Sequence, residues 1–194
     1  MAAGSRPNKG QVIVLVGTRK GGFILSSNSG RQRWSLSGPF MPGNEVFHLV
    51  SDPRNPGKLF AAVNQTVWGP EIQFSRDLGQ TWSLPKEQPR FSGQGGPTVK
   101  RVWHLEPGEP SQPEILYAGV EPAALFKTED GGSTWYEVSG LSSHPSRGQW
   151  QPGLGGLCLH SIVLDPASPG RAWVGISAVG VFGTHDGGLS WQAM

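Results

Sequence analysis

Three glutamates, three histidines and a group of tryptophans are the side chains in this chain with the types and spacing to do chemistry. Glu71 follows Val67-Trp68-Gly69-Pro70, Glu106 lies in Trp103-His104-Leu105-Glu106-Pro107, and Glu121 sits in Val120-Glu121-Pro122. Two carboxyl groups facing one substrate, one protonated and one ionised, are a general acid and base, and these three are the candidates for such a pair. Their other role is structural, as acceptors for neighbouring turns. His48, His104 and His160 recur at intervals of 56 residues. Imidazoles presented by successive repeats around one axis could form a three-histidine site for zinc or another transition metal. His104 and His160 precede Pro110 and Pro166 by six residues, but His48 precedes Pro53 by five. That odd step turns His48 to the other face of its strand unless a bulge corrects it. Otherwise each histidine serves the backbone of a neighbouring repeat. Trp68, Trp103 and Trp150, with Arg147 nearby, fall near loops and offer aromatic faces for a sugar or peptide ligand. The alternative is that they fill seams. The run Ser142–Gly156 has the length of a functional loop, and the shorter segment Arg90–Gly96 adds Gly and Gln to the same set.

The elements that must position these residues announce themselves by repetition. Ser75-Arg76-Asp77-Leu78-Gly79-Gln80-Thr81-Trp82, Thr128-Glu129-Asp130-Gly131-Gly132-Ser133-Thr134-Trp135 and Thr184-His185-Asp186-Gly187-Gly188-Leu189-Ser190-Trp191 share one spacing. Asp accepts from backbone N–H groups a few residues on, Gly supplies positive φ, and Trp offers an apolar face, so each box predicts a hairpin. Asp77, Gly79, Trp82, Asp130, Gly132, Trp135, Asp186, Gly188 and Trp191 are therefore structural. Ser26-Ser27-Asn28-Ser29-Gly30, followed by Trp34, reads as a worn copy with one extra residue and Asn for Asp.

Box tryptophans at 34, 82, 135 and 191 give a period of 48 to 56 residues. Between boxes lies an apolar strand ending in Asp-Pro or Glu-Pro, a turn and a second apolar strand. A third strand enters each box and a fourth leaves it. Four short strands per period of roughly 50 residues predict an all-β chain, a β-propeller of four-stranded antiparallel blades. About four blades are expected, over 11–37, 45–87, 99–139 and 157–194, after a flexible stretch at 1–10. The first blade lacks its innermost strand, so a partial propeller with open blade edges, prone to self-association, is expected.

Gly 29, Pro 17 and only 15% charged residues suit a turn-rich β protein. A net charge of +2 gives no electrostatic case for nucleic acid or an anionic membrane. The single cysteine, Cys158, sits in an apolar strand and is expected in the core. No signal peptide or membrane span is legible, so a cytoplasmic address is expected. Gly17-Thr18-Arg19-Lys20-Gly21-Gly22 lacks the spacing of a phosphate loop.

The boxes resemble the Asp-box, or bacterial neuraminidase repeat, of the sialidase-like propeller superfamily. The flanking text, Arg101 to Pro107, Gly119 to Leu125 and Trp150-Gln151-Pro152-Gly153, is similar to bacterial BNR-repeat, glycosyl-hydrolase-like proteins. More distantly it resembles xyloglucanases, sortilin-type receptors and photosystem II assembly-factor-like proteins. The superfamily includes enzymes, receptors and scaffolds, so the resemblance implies a fold more than an activity. A xyloglucanase-like activity implies catalytic aspartates, yet Asp77, Asp130 and Asp186 sit in boxes, and Asp52 and Asp165 close strands. A sialidase implies a Tyr nucleophile, and Tyr117 lies mid-strand while Tyr136 follows a box Trp. The reading is a binding or scaffold module for a carbohydrate or peptide, with Trp68, Trp103, Trp150 and Arg147 on its ligand face. The alternative is a glycoside hydrolase with part of its site beyond this chain.

Overall fold

Alternation of apolar residues with turn residues builds fourteen short strands, seen in a computed structural model that describes residues 8–92 and 96–194. Residues 1–7 and the middle of the Arg90–Gly96 loop lie outside the described residues. The chain divides into two units, Met1–Pro85 and Lys86–Met194.

In the first unit, β1 (Val12–Thr18), β2 (Gly21–Ser27) and β3 (Ser35–Phe40) form one antiparallel sheet. A second holds β4 (Glu45–Ser51), β5 (Leu59–Gln65) and β6 (Gly69–Ser75). Its fourth strand is reduced to a single bridge, in which Phe74 and Ser83 exchange N–H to carbonyl bonds of 2.9 Å. The second unit has two four-stranded sheets. One is β7 (Arg101–Pro107), β8 (Leu116–Glu121), β9 (Ala124–Thr128) and β10 (Tyr136–Glu137). The other is β11 (Leu159–Leu164), β12 (Ala172–Ile176), β13 (Gly180–Thr184) and β14 (Gln192–Ala193). Every sheet runs in chain order with antiparallel neighbours, which is the construction of propeller blades.

The boxes close the β6, β9 and β13 hairpins. Ser75 Oγ donates to Asp77 Oδ1 (2.7 Å) and accepts from Gly79 N–H (2.8 Å). Asp77 also accepts from the Thr81 N–H (2.9 Å) and hydroxyl (2.7 Å). Asp130 and Asp186 repeat the pattern with Thr128 and Thr134, and with Thr184 and Ser190. Gly79, Gly132 and Gly188 take φ of +84°, +94° and +94°, where an L side chain is strained. For Asp186 the Ser190 hydroxyl and N–H lead in pulling the carboxyl down to about 2. For Asp130 partial burial pushes upward, but bonds from Thr134, Thr128 and Ser133 outweigh it and bring it to about 2.

The first box departs from its sequence reading. Ser27, buried at the end of β2, holds the place of Ser75 at the end of β6. The Trp34 indole donates to the carbonyl of Arg31, three residues back, as Trp82 does to Gly79 and Trp191 to Gly188. Ser27 to Trp34 therefore keeps the common spacing, with no extra residue. Ser29, not Asn28, stands where the others have Asp. Arg31, at φ +53°, stands in the glycine position, and Arg33 stands in the Thr/Ser position.

Within each unit, adjacent sheets touch through a glycine. A Cβ on Gly17 would lie 2.4 Å from the Val46 carbonyl oxygen, and one on Gly119 would lie 2.4 Å from that of Leu159. In the first unit Val46, Leu49, Ala61 and Val63 are buried there against Leu15. In the second, Leu159, Ile162, Val174, Ile176 and Phe182 pack with Leu125.

Candidate functional site

The innermost strands β4, β7 and β11 each carry a one-residue bulge, and it reassigns the histidines. The pairing skips Phe47 in β4, Trp103 in β7 and His160 in β11. His48 and His104 are thus counterparts, opposite Ala62 and Gly119, and the third counterpart is Ser161, opposite Gly175. The expected register, with His48 as the odd member, is reversed: His160 is the residue displaced onto the bulge. It is exposed, with Nδ1 2.8 Å from Ser161 Oγ. His104 Nε2 lies 3.3 Å from Glu106 Oε2. Among the described residues no group of three or more His, Cys, Asp or Glu is placed to hold a metal ion.

The three glutamates part company. Glu71 lies in β6, not on the preceding loop, and is buried. Gln65, Glu71 and Gln73 alternate along one face of β5 and β6, and both amides donate to Glu71 Oε1. Glu121 ends β8, before its hairpin rather than after it, so it does not match Glu71. Its buried carboxylate accepts from Arg101 Nη1 (3.0 Å) and the Trp103 indole (3.4 Å). Glu106 pairs with Tyr117, four residues along β8 from Glu121. Rungs so spaced are roughly 13 Å apart. A glycosidase pair needs its carboxyl groups roughly 5 to 10 Å apart, and each of these is tied at its own end.

The tryptophans separate as well. Trp68 is 82% exposed at the tip of the β5–β6 hairpin, beside exposed Val67 and beyond the Gln65–Glu71–Gln73 cluster. Trp103 is half-buried on Glu121. Trp150 is not on a ligand face: it is 7% exposed and belongs to the core of the second unit. Its ring lies 5.0 Å from Phe182, its indole donates to Ser146 Oγ (2.9 Å), and the Arg147 guanidinium sits over it at 4.6 Å. Arg147 is held by that stacking, and burial lowers its pKa. The Ser142–Gly156 run is therefore anchored at Trp150, after a helical turn (Ser139–Ser142) and a 3-10 turn (Arg147–Gln149), while its residues 151–155 are exposed.

The sequence reading missed the Gln65 and Gln73 amides, whose only signal was their period of two with Glu71. It also missed a rung in which Tyr117, Lys127 and Tyr136 lie side by side across three strands. Burial raises the Tyr117 phenol, with Glu109 and Glu129 adding to it. Burial also raises Tyr136, as does its bond to Glu129. Raised phenols are poor nucleophiles at neutral pH. Each of the five aspartates is engaged by its own turn. Asp52 is buried against Arg54 Nε at 2.7 Å, and Asp165 caps its turn at Ala167 N–H and meets Arg171 at 3.4 Å.

No protein-family model matches this sequence. It is similar to the oligoxyloglucan-reducing end-specific xyloglucanase of Emericella nidulans, 26% identical over 180 residues, covering 86% of this chain and 20% of that protein. It is also similar to a xyloglucanase of a Paenibacillus species, 28% identical over 174 residues, 78% of this chain and 16% of the other. The chain thus spans about a fifth of the length of these relatives. Among solved structures, the GH74 xyloglucanase from Xanthomonas campestris superposes with a TM-score of 0.67 over 97% of this chain and 29% of its own, at 19% identity. That likeness is one of fold. The relatives in sequence are glycoside hydrolases.

Proposed function

We propose that this chain is part of a propeller-type glycoside hydrolase of the xyloglucanase kind, and that it contributes glycan contacts. The observation that carries the reading is the sequence match to a xyloglucanase across 86% of the chain. It favours the hydrolase over the scaffold or peptide-binding module. The contact surface is the β5–β6 hairpin. An exposed indole there can stack on a pyranose face, and the Gln65 and Gln73 amides, oriented by Glu71, keep their oxygens as acceptors for sugar hydroxyls. The carboxyl pair for bond cleavage is not furnished by Glu106 and Glu121, which stand too far apart.

Calorimetric titration with xyloglucan oligosaccharides tests this. The wild type should bind, and Trp68→Ala should weaken binding by about fivefold to tenfold, the worth of one aromatic stack. The chain alone should release no reducing ends. Absence of binding, or affinity unchanged in Trp68→Ala, would overturn the assignment of that face.

A further inference from the structure

Charge is distributed unevenly along this chain. Through Pro85 it has nine Lys and Arg against four Asp and Glu, a net of +5, and from Lys86 onward seven against ten, a net of −3. The modest overall charge conceals a basic first unit. Within that unit the acids are committed: Asp52 to Arg54, Asp77 to its box, Glu71 to two glutamines, and Glu45 to Asn64 and Arg19.

The first box concentrates the imbalance. In the other three boxes a carboxylate sits inside the turn and takes hydrogen bonds from the residue in the Thr/Ser position. Here Ser29 replaces that carboxylate and Arg33 replaces its hydroxyl donor, so one negative charge is lost and a cation is gained. Arg31 adds a second. Ser27 Oγ, which would bond the Asp, donates instead to the Arg33 carbonyl at 2.5 Å. Beside the turn lies a cleft of about 300 Å³, open to solvent, flanked by Lys9 and Arg33 with the hydroxyls of Ser29 and Ser35 and the Asn8 and Asn28 amides. Among the described residues no carboxylate lines it.

We propose that the altered first box is a binding site for an oxyanion, a sulfate, phosphate or carboxylate carried on a ligand. Lys9 and Arg33 supply charge, Arg33 with a fork suited to two oxygens. The serine hydroxyls and amides supply neutral donors. The anion occupies electrostatically the place that Asp77, Asp130 and Asp186 hold covalently in the other boxes. This site does not rest on the glycan reading of the Trp68 hairpin.

The test is titration of the full chain, followed by backbone amide NMR, with sodium sulfate, sodium phosphate and a sulfated oligosaccharide, each against sodium chloride at matched ionic strength. Saturable shifts at Lys9, Gly10 and Ser27–Arg33 are expected with sulfate or phosphate. Tighter binding of the oligosaccharide would identify a polymeric ligand, and equal binding a free anion. Lys9→Gln and Arg33→Gln should each weaken binding about fivefold, and Arg76→Gln, outside the cleft, should leave it unchanged. The double change Ser29→Asp, Arg33→Thr rebuilds the box of the other hairpins and should abolish binding with the fold intact. Shifts equal to those from chloride, or binding that survives Arg33→Gln and the rebuilt box, would overturn the proposal.

Discussion

Gly119→Ala should damage the second unit severely, while the same change at Gly175 should cost far less. The two glycines are counterparts, each opposite the residue that follows the bulge in its innermost strand. They differ in what lies over them. A Cβ on Gly119 would stand 2.4 Å from the Leu159 carbonyl oxygen and 2.5 Å from Leu159 Cδ2. Relief requires β11 to retreat by roughly 1 Å, a gap that forfeits a quarter to a half of each dispersion contact along the seam. Leu159, Ile162, Val174 and Ile176 all lose contact together. Overpacking of this kind costs about 3 kcal/mol, or about 10 °C in Tm for a unit of this size. The atoms nearest a Cβ on Gly175 belong to the His160 and Ser161 side chains of its own sheet, at 3.3 Å, a close contact that side-chain movement relieves without parting two sheets, so its cost should stay below about 1 kcal/mol. Urea unfolding followed by tryptophan fluorescence measures both. Equal losses at the two positions would refute the claim that sheet-to-sheet approach is what demands glycine.

Two further outcomes follow from the boxes and the core. Asp77, Asp130 and Asp186 titrate below the ordinary 3.8 when folded, the last two at about 2. Their contribution is therefore complete above about pH 4 and fades as pH falls toward 2, because the unfolded chain takes up the protons first. Urea midpoints from pH 5 to pH 2 should fall through that window, and Asp130→Asn should flatten the decline; an unchanged slope would mean the box bonds do not couple to folding. Trp150→Ala should cost about 3 to 5 kcal/mol, as removal of a buried indole does, while Trp68→Ala should leave stability within about 0.5 kcal/mol. A thermal melt of both variants distinguishes core from surface.

The fold was legible because its strongest signals are local. A turn needing Asp acceptors, a positive-φ glycine and a packed Trp must write the same residues at the same spacing each time, and three boxes did. The site was less legible, for two physical reasons. A bulge adds one residue without changing composition, so spacing to the next proline put His48 out of step when the displaced residue is His160. Burial of a loop leaves no periodicity either. Trp150 and Arg147 stand in a polar, glycine-rich run that reads as an open binding loop, yet the indole lies against Phe182 and His144.

The first box shows how one misplaced residue changes a chemical reading. With two serines before Asn28, sequence scoring favours Asn as the nearest substitute for Asp and then requires an extra residue. Counting back from Trp34 removes that residue, because the indole-to-carbonyl bond across three residues fixes the frame. In that frame the turn has lost its carboxylate outright rather than exchanging it for an amide. An amide would have preserved the acceptor and kept the turn closed on itself. Ser29 is too short to do so, and Arg33 cannot accept at all. The turn is instead held by the Asn28 side chain, whose Oδ1 accepts from Gly30 N–H (3.1 Å), and by the Ser27 bond to the Arg33 carbonyl, neither of which uses the guanidinium. A hairpin that folds without its internal anion, surrounded by cations that no acid in its cleft offsets, has the electrostatics of a receptor for one.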